Sequence, residues 1–177
     1  KALGSITDNS SLLKKTYVSK FMFPLAKITS SLVDCLFSLG AFLIVIIFTR
    51  SPFYWTMLLF PFIFLQAYIF ACGLGFFLAQ LHVFFRDTRY IWNAVTTAWM
   101  YCSAIFYPID MLPDWLKLLV NYFNPLYVYI KQFRCIAHQG VMPDLTTIGL
   151  GFLYAFFFFG LGVLCFKKNQ DKFILYI

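Results

Sequence analysis

The sequence contains uncharged runs that are longer than the helices of a water-soluble protein require. The longest, Ser51–Phe85, extends for 35 residues without a formal charge. A helix needs about 20 apolar residues to cross the roughly 30 Å hydrocarbon core of a membrane. Composition agrees, because 62% of the residues are apolar and only 12% are charged. In soluble domains about 45–50% of the residues are apolar and about 25% are charged. We therefore expect an integral membrane protein. A soluble enzyme, a disulfide-stabilised secreted domain and a disordered tail are excluded.

Four segments are long and apolar enough to be membrane spans, and they predict an all-α polytopic bundle. We place the spans at about 28–49, 54–81, 90–108 and 145–166.

A fifth apolar segment, 112–137, is interrupted. Its uncharged centre, Leu118–Ile130, has only 13 residues, which is about 20 Å of helix. Asn124 followed by Pro125 predicts the cap and first turn of a new helix, and Pro113 is a similar start signal for the preceding helix. The segment is therefore predicted to form two short helices in a re-entrant or interfacial hairpin.

Positive charges predict the orientation, since cytoplasmic loops carry an excess of Lys and Arg. With four spans, ten Lys and Arg residues lie on the side of both chain ends and four on the other side. Treating 112–137 as a fifth span would weaken this split to nine against five. We expect residues 1–27 and 167–177 in the cytoplasm, 28–166 as the membrane domain, and the 112–137 hairpin on the outer face. The net charge of +7 is then a topology signal with some attraction to anionic lipids, and no nucleic-acid partner is expected.

Side chains suited to catalysis or metal binding are scattered. The chain has no Glu, and its five Cys residues show no CxxC spacing and are expected to be free thiols. His82 and His138 fall on opposite sides of the membrane in this topology, which excludes a metal site built from both. No Walker A loop is present. We therefore expect no catalytic residue, no metal and no cofactor on this chain.

Two polar features have both a structural and a functional interpretation. Asp34 lies about 9 Å into the first predicted span and is a candidate intramembrane polar residue. Its alternative place is the headgroup level, solvated or paired with Lys27. Residues 9–20 combine a cap sequence with apolar and basic residues, which predicts a short amphipathic helix. That helix either lies on the inner membrane surface or docks on a cytoplasmic partner.

Aromatic residues make up 22% of the chain. Most are expected to face lipid or neighbouring helices, and the Tyr and Trp residues near the outer side to form an interfacial belt. The alternative is an aromatic-lined passage, because aromatic faces pack well against sugar rings.

Several motifs occur in order along the chain. They are SLLKKTYV at 11–18 with FPL at 23–25, GLG at 73–75, FFRDTRYI at 84–91, AIFYP at 104–108, MLP at 111–113, NPL at 124–126 and FKKNQDKF at 166–173. Each is short, but the ordered set resembles the permeases of bacterial ABC-2-type transporters. The most similar group is the exporters of teichoic acid, O-antigen and capsular polysaccharide. Ser19 and Ala104 depart from the family pattern, which more often has proline there.

The resemblance implies a homodimeric permease with two copies of a separate ABC ATP-binding subunit, which would carry ATP and Mg. It also implies that the four spans correspond to the last four of a six-span fold, with Lys1 just after the second. The residues implied to couple to the ATPase are Leu12, Leu13, Lys14, Lys15, Tyr17 and Lys20. The motif residues that could contact a lipid diphosphate, with plain solvation as the alternative, are Arg86, Asp87 and Arg89. The residues implied to form an outer gate are Phe106, Tyr107, Pro108, Pro113, Asn124 and Pro125.

The expected function is therefore ATP-driven export of polysaccharide or teichoic acid linked to polyprenyl diphosphate across the bacterial cytoplasmic membrane. The expected partners are the ATP-binding subunit, a second permease copy, the lipid-linked glycan and membrane lipids. The alternatives are an exporter of drugs or small lipids with the same fold, and a membrane scaffold protein without a transport role. An intramembrane enzyme is disfavoured because acid and histidine clusters are missing.

Overall fold

The structure is a computed structural model, and it describes residues 2–7, 19–49, 54–170 and 173. In these ranges the α-helices are α1 (Met22–Phe48), α2 (Phe60–Phe84), α3 (Thr88–Cys102), α4 (Asp114–Phe123), α5 (Pro125–Arg134) and α6 (Leu145–Asn169). The 3₁₀ segments are Trp55–Leu59 and Ile109–Met111, and a π-helical segment is Cys135–Gln139. The described part contains no strand, and the predicted all-α class is confirmed.

Three helical segments among the described residues are long and apolar enough to cross a membrane. They are Met22–Phe48, Trp55–Phe84 and Leu145–Asn169. These segments overlap the spans predicted at 28–49, 54–81 and 145–166, and each extends a few residues beyond the prediction. The structure therefore supports a multi-pass membrane protein.

The helix predicted over 90–108 has a different extent. The observed α3 has 15 residues, about 22 Å of helix, which is short of the roughly 30 Å of a membrane core. The chain leaves the helix because Ala104 adopts a φ of 47°, in the left-handed region that a right-handed helix excludes. Pro108 follows in an extended conformation. The observed helix thus ends six residues before the end of the predicted span, and the crossing of the membrane by this segment stays a prediction.

The segment 112–137 contains the two short helices that its Pro and Asn residues predict. Pro113 directly precedes α4, and Pro125 occupies the first turn of α5. The Asn124 Oδ1 atom caps α5 by accepting hydrogen bonds from the N–H groups of Leu126 at 3.1 Å and Tyr127 at 3.4 Å. Gly140, with a φ of 64°, ends the π-helical segment beyond α5. The re-entrant placement of this pair stays a prediction.

The chain divides into two compact units. The first unit comprises Lys1–Phe53, Tyr68–Arg89 and Phe156–Ile177, and the second comprises Tyr54–Ala67 and Tyr90–Ala155. Phenylalanine rings dominate the core of the first unit. The Phe166 ring lies 5.7 Å from the Phe76 ring and 5.1 Å from the Phe173 ring, both edge-on, which is a favoured geometry for aromatic pairs.

Glycines let α2 and α6 approach closely within the first unit. A Cβ atom added at Gly162 would overlap the backbone of Gly73, and one added at Gly73 would overlap the backbone of Phe158. Small residues at helix contacts allow this approach, and van der Waals packing then stabilises the pair in lipid.

We predict that Gly162→Leu destabilises the protein by about 1–3 kcal/mol, because a side chain there forces two backbones apart. Gly160→Leu, two residues earlier on α6, is the control, since nothing lies within 4 Å of a Cβ at Gly160. Thermal unfolding of the purified variants in detergent, followed by Trp fluorescence, measures the difference. Equal midpoints for the two variants would show that α2 and α6 are not in contact here.

Candidate functional site

The residues predicted to form the outer gate all lie in the second unit, on or beside the segment between the end of α3 and the start of α5. Side-chain hydrogen bonds link this segment to α3 and α5.

Asn124 holds the end of α3 to the start of α5. Its side-chain Nδ2 donates to the Ser103 Oγ at 3.0 Å and to the Cys102 carbonyl at 3.3 Å. Its Oδ1, which also caps α5, accepts a hydrogen bond from the Trp99 Nε1 at 2.9 Å. Asn124 is 8% exposed, so these partners replace water for the whole amide. A buried polar group that loses its hydrogen-bond partner destabilises the fold by more than a typical exposed hydrogen bond stabilises it. The Asn124 side chain therefore holds the two helix ends together.

An apolar cluster packs beside this amide. Its buried members are Ala104, Val120 and Tyr127, and its partly buried members are Tyr107, Ile109 and Leu112. The Tyr107 hydroxyl also donates to the Tyr101 carbonyl at 2.9 Å. Tyr107 is thus part of the packed loop. Phe106 differs, because it is 69% exposed and its ring lies at the edge of this cluster, 6.2 Å from the Tyr101 ring.

Arg134 fixes the turn that follows α3. Its Nη2 donates to the carbonyl groups of Ala104 and Ile105, each at 3.0 Å. Ala104 is fully buried and left-handed, a conformation that an L-residue with a Cβ disfavours. The guanidinium therefore donates to two carbonyl groups that lie beyond the end of α3 and receive no hydrogen bond from that helix. Sequence reasoning used Arg134 only as a topology charge, and no local signal pointed to these carbonyls, because they lie 29 and 30 residues earlier in the chain.

Two buried glutamines form a second polar group in this unit that sequence reasoning missed. Gln66 and Gln132 are fully buried, and the Gln132 Nε2 donates to the Thr147 carbonyl at 3.0 Å. The Tyr129 hydroxyl donates to the Gly151 carbonyl at 2.9 Å, and burial raises the pKa of Tyr129, so this donor stays protonated. A Cβ atom added at Gly151 would overlap both glutamine amides. The signal was available, because Gln66 is a polar residue inside the long uncharged run.

Most of the predicted coupling residues lie outside the described residues. These are Leu12, Leu13, Lys14, Lys15 and Tyr17. Lys20 is described, and its Nζ donates to the Gln170 carbonyl at 2.6 Å and lies 5.9 Å from the Phe173 ring centre. Lys20 therefore contacts the C-terminal segment within the first unit.

The motif residues Arg86, Asp87 and Arg89 are exposed, at the turn between α2 and α3 and in the first turn of α3. Thr88 stabilises this turn, since its Oγ1 donates to the Phe85 carbonyl at 2.6 Å. Asp34 lies on an exposed face of α1. Contacts of these residues with a lipid diphosphate or another ligand stay predictions.

Among the described residues, no group of three or more His, Cys, Asp or Glu side chains could hold a metal ion. The arrangement is suited to positioning helices and a loop, because Asn124, Tyr129, Gln132 and Arg134 each donate a hydrogen bond to a backbone carbonyl.

Comparison with known proteins gives consistent matches. The sequence model of the ABC-2 type transporter family matches residues 5–138. The chain is 25% identical over 146 residues to the O-antigen export system permease protein RfbA of Myxococcus xanthus, covering 81% of this chain and 56% of that protein. It is 25% identical over 177 residues to the protein of the same name from Klebsiella pneumoniae, covering 97% of this chain and 66% of that protein. The chain therefore spans between about half and two thirds of the length of these curated relatives.

We predict that Asn124→Ala lowers the free energy of unfolding by about 2–4 kcal/mol, because it removes a helix cap and leaves buried partners unpaired. Asn121→Ala, on the partly exposed surface of α4, should change it by less than about 0.5 kcal/mol. Denaturant unfolding in detergent micelles measures both. The assigned amide network would be refuted by equal losses.

We also predict that Ala104→Val destabilises the second unit by about 1–3 kcal/mol, because a β-branched residue is strained at positive φ and the site is fully buried. Ala98→Val, on the exposed surface of α3, provides the same change of side chain in a regular helix and should cost less than about 0.7 kcal/mol. The unfolding midpoints of the two variants give the comparison. A left-handed Ala104 is incompatible with the same midpoint for both.

Proposed function

This chain belongs to the ABC-2 type transporter family, and we propose that it is part of the membrane subunit of an ATP-driven exporter. One observation carries the proposal. A single family match extends from residue 5 to residue 138 and so includes the predicted coupling segment, the exposed motif turn and the two short helices with their Asn124 network. The long apolar helices supply the membrane part. Its relatives are transport permeases, so this chain is not itself expected to hydrolyse ATP.

The proposed substrate is a polysaccharide of the O-antigen or teichoic acid type, carried on polyprenyl diphosphate and moved from the inner to the outer leaflet of the bacterial cytoplasmic membrane. The relatives named above, which are O-antigen export permeases, support this class over drugs or small lipids. The abundant aromatic residues are compatible with a passage for sugars.

In this proposal, two copies of the permease pair with two ATP-binding subunits, which hold ATP and Mg. Residues 12–20 dock on the ATP-binding subunit, and its closure around ATP moves that segment. At the other side of the membrane, α4, α5 and the loop 103–113 form the outer gate. Because Asn124 and Arg134 join the loop to α5, this part of the second unit would move as one rigid element.

The coupling assignment is tested with Lys14→Gln combined with Lys15→Gln. Removing both charges should reduce co-purification of the ATP-binding subunit and lower export several-fold. The matched control is Lys167→Gln with Lys168→Gln, which removes two charges from the other predicted cytoplasmic segment and should preserve both readouts. Normal export by the first pair, together with normal export by Leu13→Pro, would rule out this docking segment.

The gate assignment is tested with Phe106→Ala. Because Phe106 is 69% exposed, its truncation should leave the unfolding midpoint unchanged while surface glycan, measured in a complemented deletion strain, falls several-fold. Phe37→Ala makes the same substitution at a phenylalanine of similar exposure, 76%, on α1 outside the proposed gate, and should preserve export. If the deletion leaves surface glycan intact but abolishes efflux of a drug or small lipid, the alternative substrate class is correct.

A further inference from the structure

The second unit contains a cavity of about 420 Å³ that is lined in part by Arg134 and by the apolar cluster described above. It lies beside the last turns of α5, the π-helical segment and the first turn of α6. Its polar wall includes Lys131, Arg134, Asp144 and Thr147, and its apolar wall includes Ile109 and Met142. The volume is in the range of natural ligand sites, about 300–1,000 Å³.

The charge of this cavity is positive. Lys131 and Arg134 are three residues apart on α5 and therefore lie on the same face of that helix. Asp144 is the acidic residue of the lining and is exposed to solvent, whereas the two cationic residues are partly buried. Solvent screens the exposed carboxylate more strongly than the partly buried cations, so an anion inside the cavity experiences net attraction.

Arg134 is already held in place for such an anion. Its Nη2 atom uses its two N–H groups on the carbonyls of Ala104 and Ile105. A guanidinium has five N–H donors, so three remain on Nε and Nη1. A side chain fixed before binding loses little conformational entropy when the ligand arrives, and the planar guanidinium fork matches the oxygen spacing of a phosphate.

We propose that this cavity binds a phosphate ester, with the phosphate between Lys131 and Arg134 and the organic part against the apolar wall. The cavity adjoins the first turn of α6, where a candidate membrane span begins, which is the level at which lipid phosphates lie. The headgroup of an anionic phospholipid and a soluble glycerol phosphate present this same chemistry. The proposal does not depend on the export function, because binding is measured on the purified protein without its ATP-binding subunit.

The test is native mass spectrometry of the purified full-length protein in detergent, titrated with phosphatidylglycerol and, separately, with phosphatidylcholine. Wild type should bind phosphatidylglycerol preferentially. Lys131→Gln should weaken its binding at least about fivefold, because even a solvent-screened charge at contact distance contributes that much. Asp144→Asn should strengthen binding, a gain that a misfolded variant would not produce.

Lys117→Gln is the matched control, since Lys117 lies on α4 and pairs with Asp114 at 3.1 Å away from this cavity. It should leave the affinity unchanged. Displacement of phosphatidylglycerol by glycerol 3-phosphate would show that the phosphate group suffices, and a lack of displacement would show that the acyl chains contribute; both results support the site. Equal weakening by Lys131→Gln and Lys117→Gln, without a gain from Asp144→Asn, would overturn it by showing only general electrostatic attraction.

Discussion

The side chain of Asn124 joins two parts of the second unit that are 22 residues apart in sequence. One amide caps α5, receives the Trp99 indole N–H and donates to the end of α3. In an environment poor in water, such bonds are strong and their loss is costly. Arg134, at the other end of α5, holds the turn at Ala104. The loop that contains Phe106 and Tyr107 is therefore hydrogen-bonded near its start to both ends of α5, by Asn124 at one end of the helix and by Arg134 at the other.

The two units are stabilised by different interactions. The first unit relies on phenylalanine rings and on the close approach of Gly73 and Gly162, as expected for helices whose association in lipid gains little from the hydrophobic effect. The second unit contains the Asn124 network and the buried Gln66 and Gln132. Buried polar groups that are fully hydrogen-bonded, as Asn124 is, make one arrangement specific.

Local signals in the chain predicted a large part of this structure. The Asn-Pro step at 124–125 predicted the start of α5, because capping uses a side chain and N–H groups only two or three residues away. The same local reasoning failed at the end of α3. Residues 103–108 are uncharged and look like the continuation of a span, but their backbone turns at Ala104. The partner that serves this turn, Arg134, is 30 residues further along, and nothing nearby in sequence indicates it.

The membrane class, the approximate position of the long helices and the division of 112–137 into two helices follow from the sequence alone, since each depends on the length of an apolar run or on a cap. The ordered motifs also identified the family before any fold was known. Only the folded chain shows the contact of Gly73 with Gly162 and the hydrogen bonds that Asn124 makes to α3 and α5. The same holds for the burial of Gln66 and for the cationic cavity beside Arg134. Hydropathy measures how favourably a side chain leaves water. Hydropathy does not specify which distant residue that side chain will contact, because the contact depends on how the helices pack.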